Sequence, residues 1–173
     1  MKLISSDVRY KSSIFEVTED HAVDPGGFEI RRAIVKHGGS AVMMPVDEKK
    51  RVLLVRQYRL PARAYLWELP AGRLDPGETA LAAAKRELAE ETGYRASTWK
   101  KLLSFYVSPG YVSEKMTIYL ATGLKEGAAE PMEDERIETR WFTAKELDDA
   151  IHSGKIIDAK TIAGFLAWKR YRA

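Results

Sequence analysis

The stretch Gly72-Arg73-Leu74-Asp75-Pro76-Gly77-Glu78-Thr79-Ala80-Leu81-Ala82-Ala83-Ala84-Lys85-Arg86-Glu87-Leu88-Ala89-Glu90-Glu91-Thr92-Gly93-Tyr94 decides how this chain is read. Glu78 to Thr92 is dense in strong helix formers, Asp75-Pro76-Gly77 supplies a turn before it, and Gly93 stands where a left-handed C-cap is wanted, so a helix over Glu78–Thr92 is expected. Glu87 and Glu91 are four apart and Glu90 is three from Glu87, which puts three carboxylates on one helical face. Such crowding costs only a few tenths of a kcal/mol per pair, roughly, when solvated, so by itself it reads as an ordinary charged face. A hard divalent cation takes oxygen ligands and enters a site through carboxylates together with substrate phosphates, a role these three side chains suit. Arg86 reaches back to Glu78, two turns earlier, only if the start of the helix folds inward, and an ion pair there would orient the segment.

The spacing extends well beyond the helix: Gly72, five residues, Glu78, seven residues, Arg86-Glu87-Leu88, one residue, Glu90-Glu91, one residue, Gly93 and Tyr94. This pattern resembles the complete Nudix box, departing from it only at Tyr94, where an aliphatic residue is more usual. The resemblance implies a loop–helix–loop metal site on an α/β/α sandwich. Its metal ligands would be Glu87, Glu90 and Glu91 with the backbone carbonyl of Ala71, which lies in Trp67-Glu68-Leu69-Pro70-Ala71-Gly72. The ion would be Mg²⁺ or Mn²⁺. The reaction implied is hydrolysis of a pyrophosphate bond with no covalent enzyme intermediate, because a diphosphate repels an incoming hydroxide until its oxygens are neutralised.

Working outward, Ile14–Thr18 and Phe28–Lys36 read as extended segments around the turn Asp24-Pro25-Gly26-Gly27, and Ala41–Val46 and Arg51–Tyr58 as a second hairpin. Downstream, Lys101–Val107, Met116–Ala121 and Ile137–Phe142 have strand character, while Ala144–Ser153 and Asp158–Tyr171 have helical spacing. The fold class expected is α/β (α+β), a mixed sheet between helices, with a small N-terminal β subdomain over 1–38 ahead of a hydrolase domain over 39–173.

The box names a reaction class, and features outside it bear on the substrate. Pro109, sixteen residues after Gly93, resembles the downstream proline of ADP-ribose pyrophosphatases, although Ser108-Pro109-Gly110 is also an ordinary turn. In similar enzymes an acidic loop ahead of the last strand supplies the water-activating base and a further metal contact. Here that loop is Glu133-Asp134-Glu135, with Glu133 assigned as base and Glu135 as ligand. Arg86 and Glu90 complete the catalytic group. The long N-terminal segment resembles the β-domain through which such enzymes dimerise, implying a homodimer. Arg32, Arg56 and Arg59 suit phosphates or a base, and Glu68 suits adenine or Arg56. Phe28 is a stacking candidate, although at strand spacing such a residue is more often part of the core.

The substrate expected is ADP-ribose, yielding AMP and ribose 5-phosphate. Another nucleotide sugar such as GDP-mannose is the alternative, and a non-cleaving ADP-ribose sensor a third. The 173 residues, 45% of them hydrophobic, suffice for a substantial core. A formal net charge of +3 with scattered basic residues gives no support to nucleic-acid binding. With no cysteine in the chain, thiolate metal sites and disulfides are excluded. His21, His37 and His152 are mutually isolated, which argues against a histidine mechanism. No signal-like or membrane-length apolar run is seen, so a cytoplasmic enzyme is expected.

Overall fold

A computed structural model describes residues 1–128 and 136–172. It is a mixed α+β fold of ten strands and three α-helices among those residues, and it divides into two compact units. The acidic loop Glu133-Asp134-Glu135 lies outside the described residues.

The first unit comprises Met1–Gly39 and Phe105–Met116. Its three-stranded sheet has the order β1 (Lys2–Lys11), β2 (Glu16–Val23), β3 (Glu29–Lys36), antiparallel throughout. The turn after β2 is fixed by Asp24, whose side chain accepts the N–H groups of Gly26 and Phe28, while Gly27 adopts positive φ. β1 was not anticipated from sequence. Its ten residues are exposed at all but one position, so the alternation that betrays a half-buried strand is missing. The segment from 105 to 116 joins β3 through Val35 N–H to the Tyr111 carbonyl (2.8 Å), Ser113 N–H to the Val35 carbonyl (2.9 Å) and His37 N–H to Ser113 Oγ (2.9 Å).

The second unit comprises Ser40–Ser104 and Thr117–Ala173. Here β4 (Ser40–Pro45), β5 (Val52–Arg59), β6 (Ala64–Glu68), β7 (Ala71–Arg73), β8 (Tyr94–Tyr106), β9 (Lys115–Glu126) and β10 (Glu138–Phe142) form two sheets, β7-β4-β9-β8 and β10-β5-β6. The helices are α1 (Ala80–Thr92), α2 (Ala144–His152) and α3 (Ala159–Arg172). All six residues of β4 are buried, which requires cover on both faces. Ala41 and Met43 pack with Ala83, Ala84 and Leu88 of α1 and Ala121 of β9. On α3, a side chain at Gly164 would meet Leu69 and Ile118, and Ile118 alternates with Tyr119 and Ala121 along β9, so α3 covers the opposite face. Helix, sheet and helix are therefore stacked as the box resemblance implies. Among the described residues no helix is long and apolar enough to cross a membrane.

The start of α3 is tied to the strand that leads into the box. Asp158 Oδ2 accepts the Thr161 N–H (2.9 Å), an N-cap bond, and also the Thr161 hydroxyl (2.6 Å). That hydroxyl in turn accepts the buried Leu69 N–H at 2.7 Å. Thr161→Val keeps the volume but leaves the Leu69 amide unsatisfied, and should cost about 1–3 kcal/mol of unfolding free energy, read from urea denaturation with an unchanged slope.

Candidate active site

The helix α1 begins at Ala80 rather than at Glu78, because the residues before it have their own backbone bonding. Glu78 N–H donates to the Asp75 carbonyl (2.9 Å) and the Glu78 carboxylate accepts the Asp75 N–H (3.1 Å), closing the Asp75-Pro76-Gly77-Glu78 turn from both ends. Thr79 is the N-cap, its hydroxyl accepting the Ala82 N–H. Gly93 ends the helix in the left-handed region at φ 74°.

The turn folds Glu78 inward, which is the condition for Arg86 to reach it. The guanidinium donates from Nε to Glu78 Oε1 (3.2 Å), from Nη2 to Glu78 Oε2 (2.9 Å) and to the Arg73 carbonyl (3.1 Å), and from Nη1 to Glu87 Oε1 (2.7 Å) and Glu90 Oε2 (3.0 Å). One cation thus joins the loop before the helix to two carboxylates on it. The bond to Arg86 holds the Glu78 carboxyl below its ordinary range, and the guanidinium is pushed correspondingly upward by Glu78 against the opposing effect of burial.

Glu87 and Glu91 flank the backbone at Ala71–Gly72. A Cβ built on Gly72 would lie 1.8 Å from Cδ of Glu87, so the glycine is required by the carboxyl seated over it. Glu91 is only 5% exposed and its Oε2 accepts the Ala71 N–H at 3.2 Å. Ala71 itself is aligned by pairing with Val42 of β4. The donor set is oxygen alone, gathered on a backbone segment that a larger residue would block, and it suits a hard divalent cation. Among the described residues no three carboxylate or imidazole groups already converge on one ion-sized point: Arg86 engages Glu87 and Glu90, while Glu91 bonds to Ala71.

Beside the box lies a buried ionic cluster. Glu68, 1% exposed, accepts a fork from Arg59, Nε to Oε1 at 2.9 Å and Nη2 to Oε2 at 2.8 Å, together with a bond from the ammonium of Lys160. Burial pushes the Glu68 carboxyl up, but the hydrogen bonds and charges of Arg59 and Lys160 outweigh it and bring the net shift below the usual range. Arg59 is raised, first by its bonds to Glu68, with the charges of Glu91 and Asp158 also reaching it. The partner of Glu68 is thus Arg59, not Arg56. Arg56 instead bonds Glu138 on the paired strand (3.2 Å) and lies over the rings of Tyr65 (5.0 Å) and Trp67 (5.9 Å).

Three other sequence candidates lie in the first unit. Arg32 and Pro109, distant in sequence, line one cavity of about 390 Å³ with Ile34, Tyr106 and Tyr111, and Phe28 is 66% exposed beside its turn. Glu133 and Glu135 fall outside the described residues. Each histidine has a local partner: His21 meets Glu29, His37 Nδ1 accepts the Gly39 N–H, and His152 meets the Asp148 carbonyl. Lys160 was missed by sequence reasoning, since a lysine in the first turn of a helix carries no signal that its ammonium is buried. Tyr65 and Trp67 were likewise missed as partners of Arg56, because the β5–β6 pairing that aligns them was not anticipated.

Residues 36–165 match the NUDIX domain. The chain is 38% identical over 167 residues to the ADP-ribose pyrophosphatase of Mycobacterium tuberculosis, covering 95% of this chain and 81% of that protein. It is 34% identical over 163 residues to the methanol dehydrogenase activator of Bacillus methanolicus, covering 93% and 88% respectively. A crystal structure of an ADP compounds hydrolase shares the fold, with a TM-score of 0.84 at 21% identity over 99% of this chain and 94% of that one. With Arg86, Gly72 and the three helical glutamates already arranged as the box spacing demands, the match to the domain and to relatives along most of their length places this chain in the Nudix family.

Proposed function

We propose that the protein hydrolyses the pyrophosphate bond of ADP-ribose to AMP and ribose 5-phosphate with Mg²⁺ or Mn²⁺. The observation that carries the reaction is the seating of Glu87 over Gly72 with Glu91 bonded to Ala71. The name of the mycobacterial relative supports the substrate. Glu87, Glu91 and Glu90, with the Ala71 carbonyl, would hold the cation, which when bound neutralises the diphosphate and lowers the barrier to attack by water.

The chain's own groups do the rest. Arg86 sets the rotamers of Glu87 and Glu90 and pins the preceding loop, so the carboxylates are ordered before substrate arrives. Arg59, partly exposed and bonded to Glu68 just ahead of the Ala71 that Glu91 engages, offers positive charge to a phosphate. We assign Glu133 as the group that accepts the water proton and Glu135 as a further ligand, on the resemblance alone. Arg32, Pro109 and Phe28 are assigned to the remainder of the substrate, as is Arg56. The sheet of the first unit carries exposed Leu3, Val8 and Tyr10, consistent with a homodimer built on residues 1–38.

Glu91→Gln should fold normally by circular dichroism yet lose at least about a hundredfold in kcat, since a lost ligand charge is worth several kcal/mol in a metal-assisted step; parent-like turnover would remove Glu91 from the site. Gly72→Ala places a methyl in the space of the Glu87 carboxyl and should lower kcat by about a hundredfold, as ångström-scale misplacement does, with added Mn²⁺ failing to restore it. A phosphatase-coupled phosphate assay across ADP-ribose and GDP-mannose should give the higher kcat/KM for ADP-ribose, and the reverse order would reassign the substrate.

A further inference from the structure

Among the described residues Lys160 is the sole basic side chain that is buried, at 7% exposure, and the box mechanism makes no use of it. Its ammonium bonds Glu68 Oε2 and, at 3.0 Å, Asp158 Oδ1. Asp158 commits its other oxygen to the N-terminus of α3, and Glu68 is shared with Arg59. The cluster therefore holds two cations, Arg59 and Lys160, against two anions, Glu68 and Asp158, and its charges sum to zero.

The members differ in what they face. Glu68 and Lys160 are enclosed, whereas the Arg59 side chain is 40% exposed, and its Nη1 takes part in neither bond to Glu68. Arg59 is bonded to Glu68, three residues before the Ala71 whose N–H Glu91 accepts, and the charge of Glu91 reaches it. Were Arg59 the only cation in the cluster, Glu68 would balance it and Asp158 would leave a net negative charge behind. A diphosphate would then meet repulsion from Glu68, Asp158 and the box carboxylates together.

We propose that Lys160 is a positioning residue for anion binding: by sharing Glu68 and offsetting Asp158 from inside the fold, it leaves the outward half of the Arg59 guanidinium electrically effective toward a nucleoside diphosphate beside Glu91. This rests on the reading of the site as one that takes a nucleoside diphosphate derivative. It assigns Lys160 no contact with substrate. The effect runs through charge, so it can be separated from packing by removing one cation and one anion together.

The test uses Lys160→Met, Lys160→Arg, Asp158→Asn and the double variant Lys160→Met/Asp158→Asn in the full chain. Readouts are kcat and KM for ADP-ribose with Mg²⁺, and the Kd of ADP by calorimetry. Asparagine still caps a helix, so Asp158→Asn preserves the start of α3. Lys160→Met should raise KM and the ADP Kd by about tenfold at low ionic strength, with a smaller effect in high salt, while kcat stays within about threefold. Lys160→Arg should retain most of the affinity. The double variant, whose cluster is again neutral, should return to within about threefold of the parent, and Asp158→Asn alone should bind ADP about threefold more tightly.

A double variant no better than Lys160→Met would make Lys160 a packing residue and overturn the proposal, as would parent-like affinity in Lys160→Met. If Lys160→Met does not fold, Asp158→Asn decides: unchanged or weaker ADP binding refutes the charge argument. A parent protein that binds ADP but cleaves neither ADP-ribose nor GDP-mannose would instead refute the proposed activity, leaving the cluster's role in binding to stand or fall on the variants.

Discussion

The carboxylate face of the box is organised around one guanidinium. Arg86 joins the Asp75–Glu78 turn to the face of α1 by bonds to Glu78, Glu87, Glu90 and the Arg73 carbonyl. Three carboxylates within one helical turn of one another would splay into solvent if left to their mutual repulsion. With a cation between two of them and the third turned to the Ala71 amide, they become an ordered oxygen surface beside a glycine. The loop, the helix and the strand β7 are thereby locked as one piece, and the geometry does not depend on the loop's own weak preferences.

Much of this was legible from the chain, and the reasons are local. Gly72, Glu78, Arg86, Glu87, Glu90, Glu91 and Gly93 all lie in one continuous stretch and their contacts close within it, from Ala71 to Gly93, so their spacing carries the geometry directly. The helix boundary was less legible: Glu78 is a strong helix former, but its backbone amide is taken by Asp75 and Thr79 caps the helix two residues on. β1 was invisible because it is exposed along nearly its whole length, and β6 because its partner β5 decides its register. Pairing of Glu68 with Arg59 instead of Arg56 was likewise beyond reach. Residues 56 and 59 point to opposite faces of β5, and only the tertiary placement of α3 says which face is enclosed.

The third helix illustrates how a distant element serves the box without touching its chemistry. Thr161 holds the Leu69 amide, Lys160 holds Glu68, and both residues belong to the first turn of α3, which Asp158 caps. Strand β6 thus reaches Pro70 and Ala71 already anchored from behind, in a part of the fold where a buried amide and a buried carboxylate each needed a partner. A hydrophobic substitute at these positions would fill the volume but would leave polar groups stranded in the core.

The chain's path between its two units has a consequence for how such a protein can be cut or recombined. About halfway through the larger unit it leaves at Phe105, contributes a loop whose Tyr111 and Ser113 pair with Val35 and His37, and comes back at Thr117. A cleavage after Gly39 would detach the three-stranded sheet yet leave that excursion behind, its backbone donors and acceptors stripped of their counterparts. The small unit is therefore not a transferable module with a single seam. Exchange of it between homologous chains would need three crossover points chosen together, and proteolytic nicking at one of them would not release it.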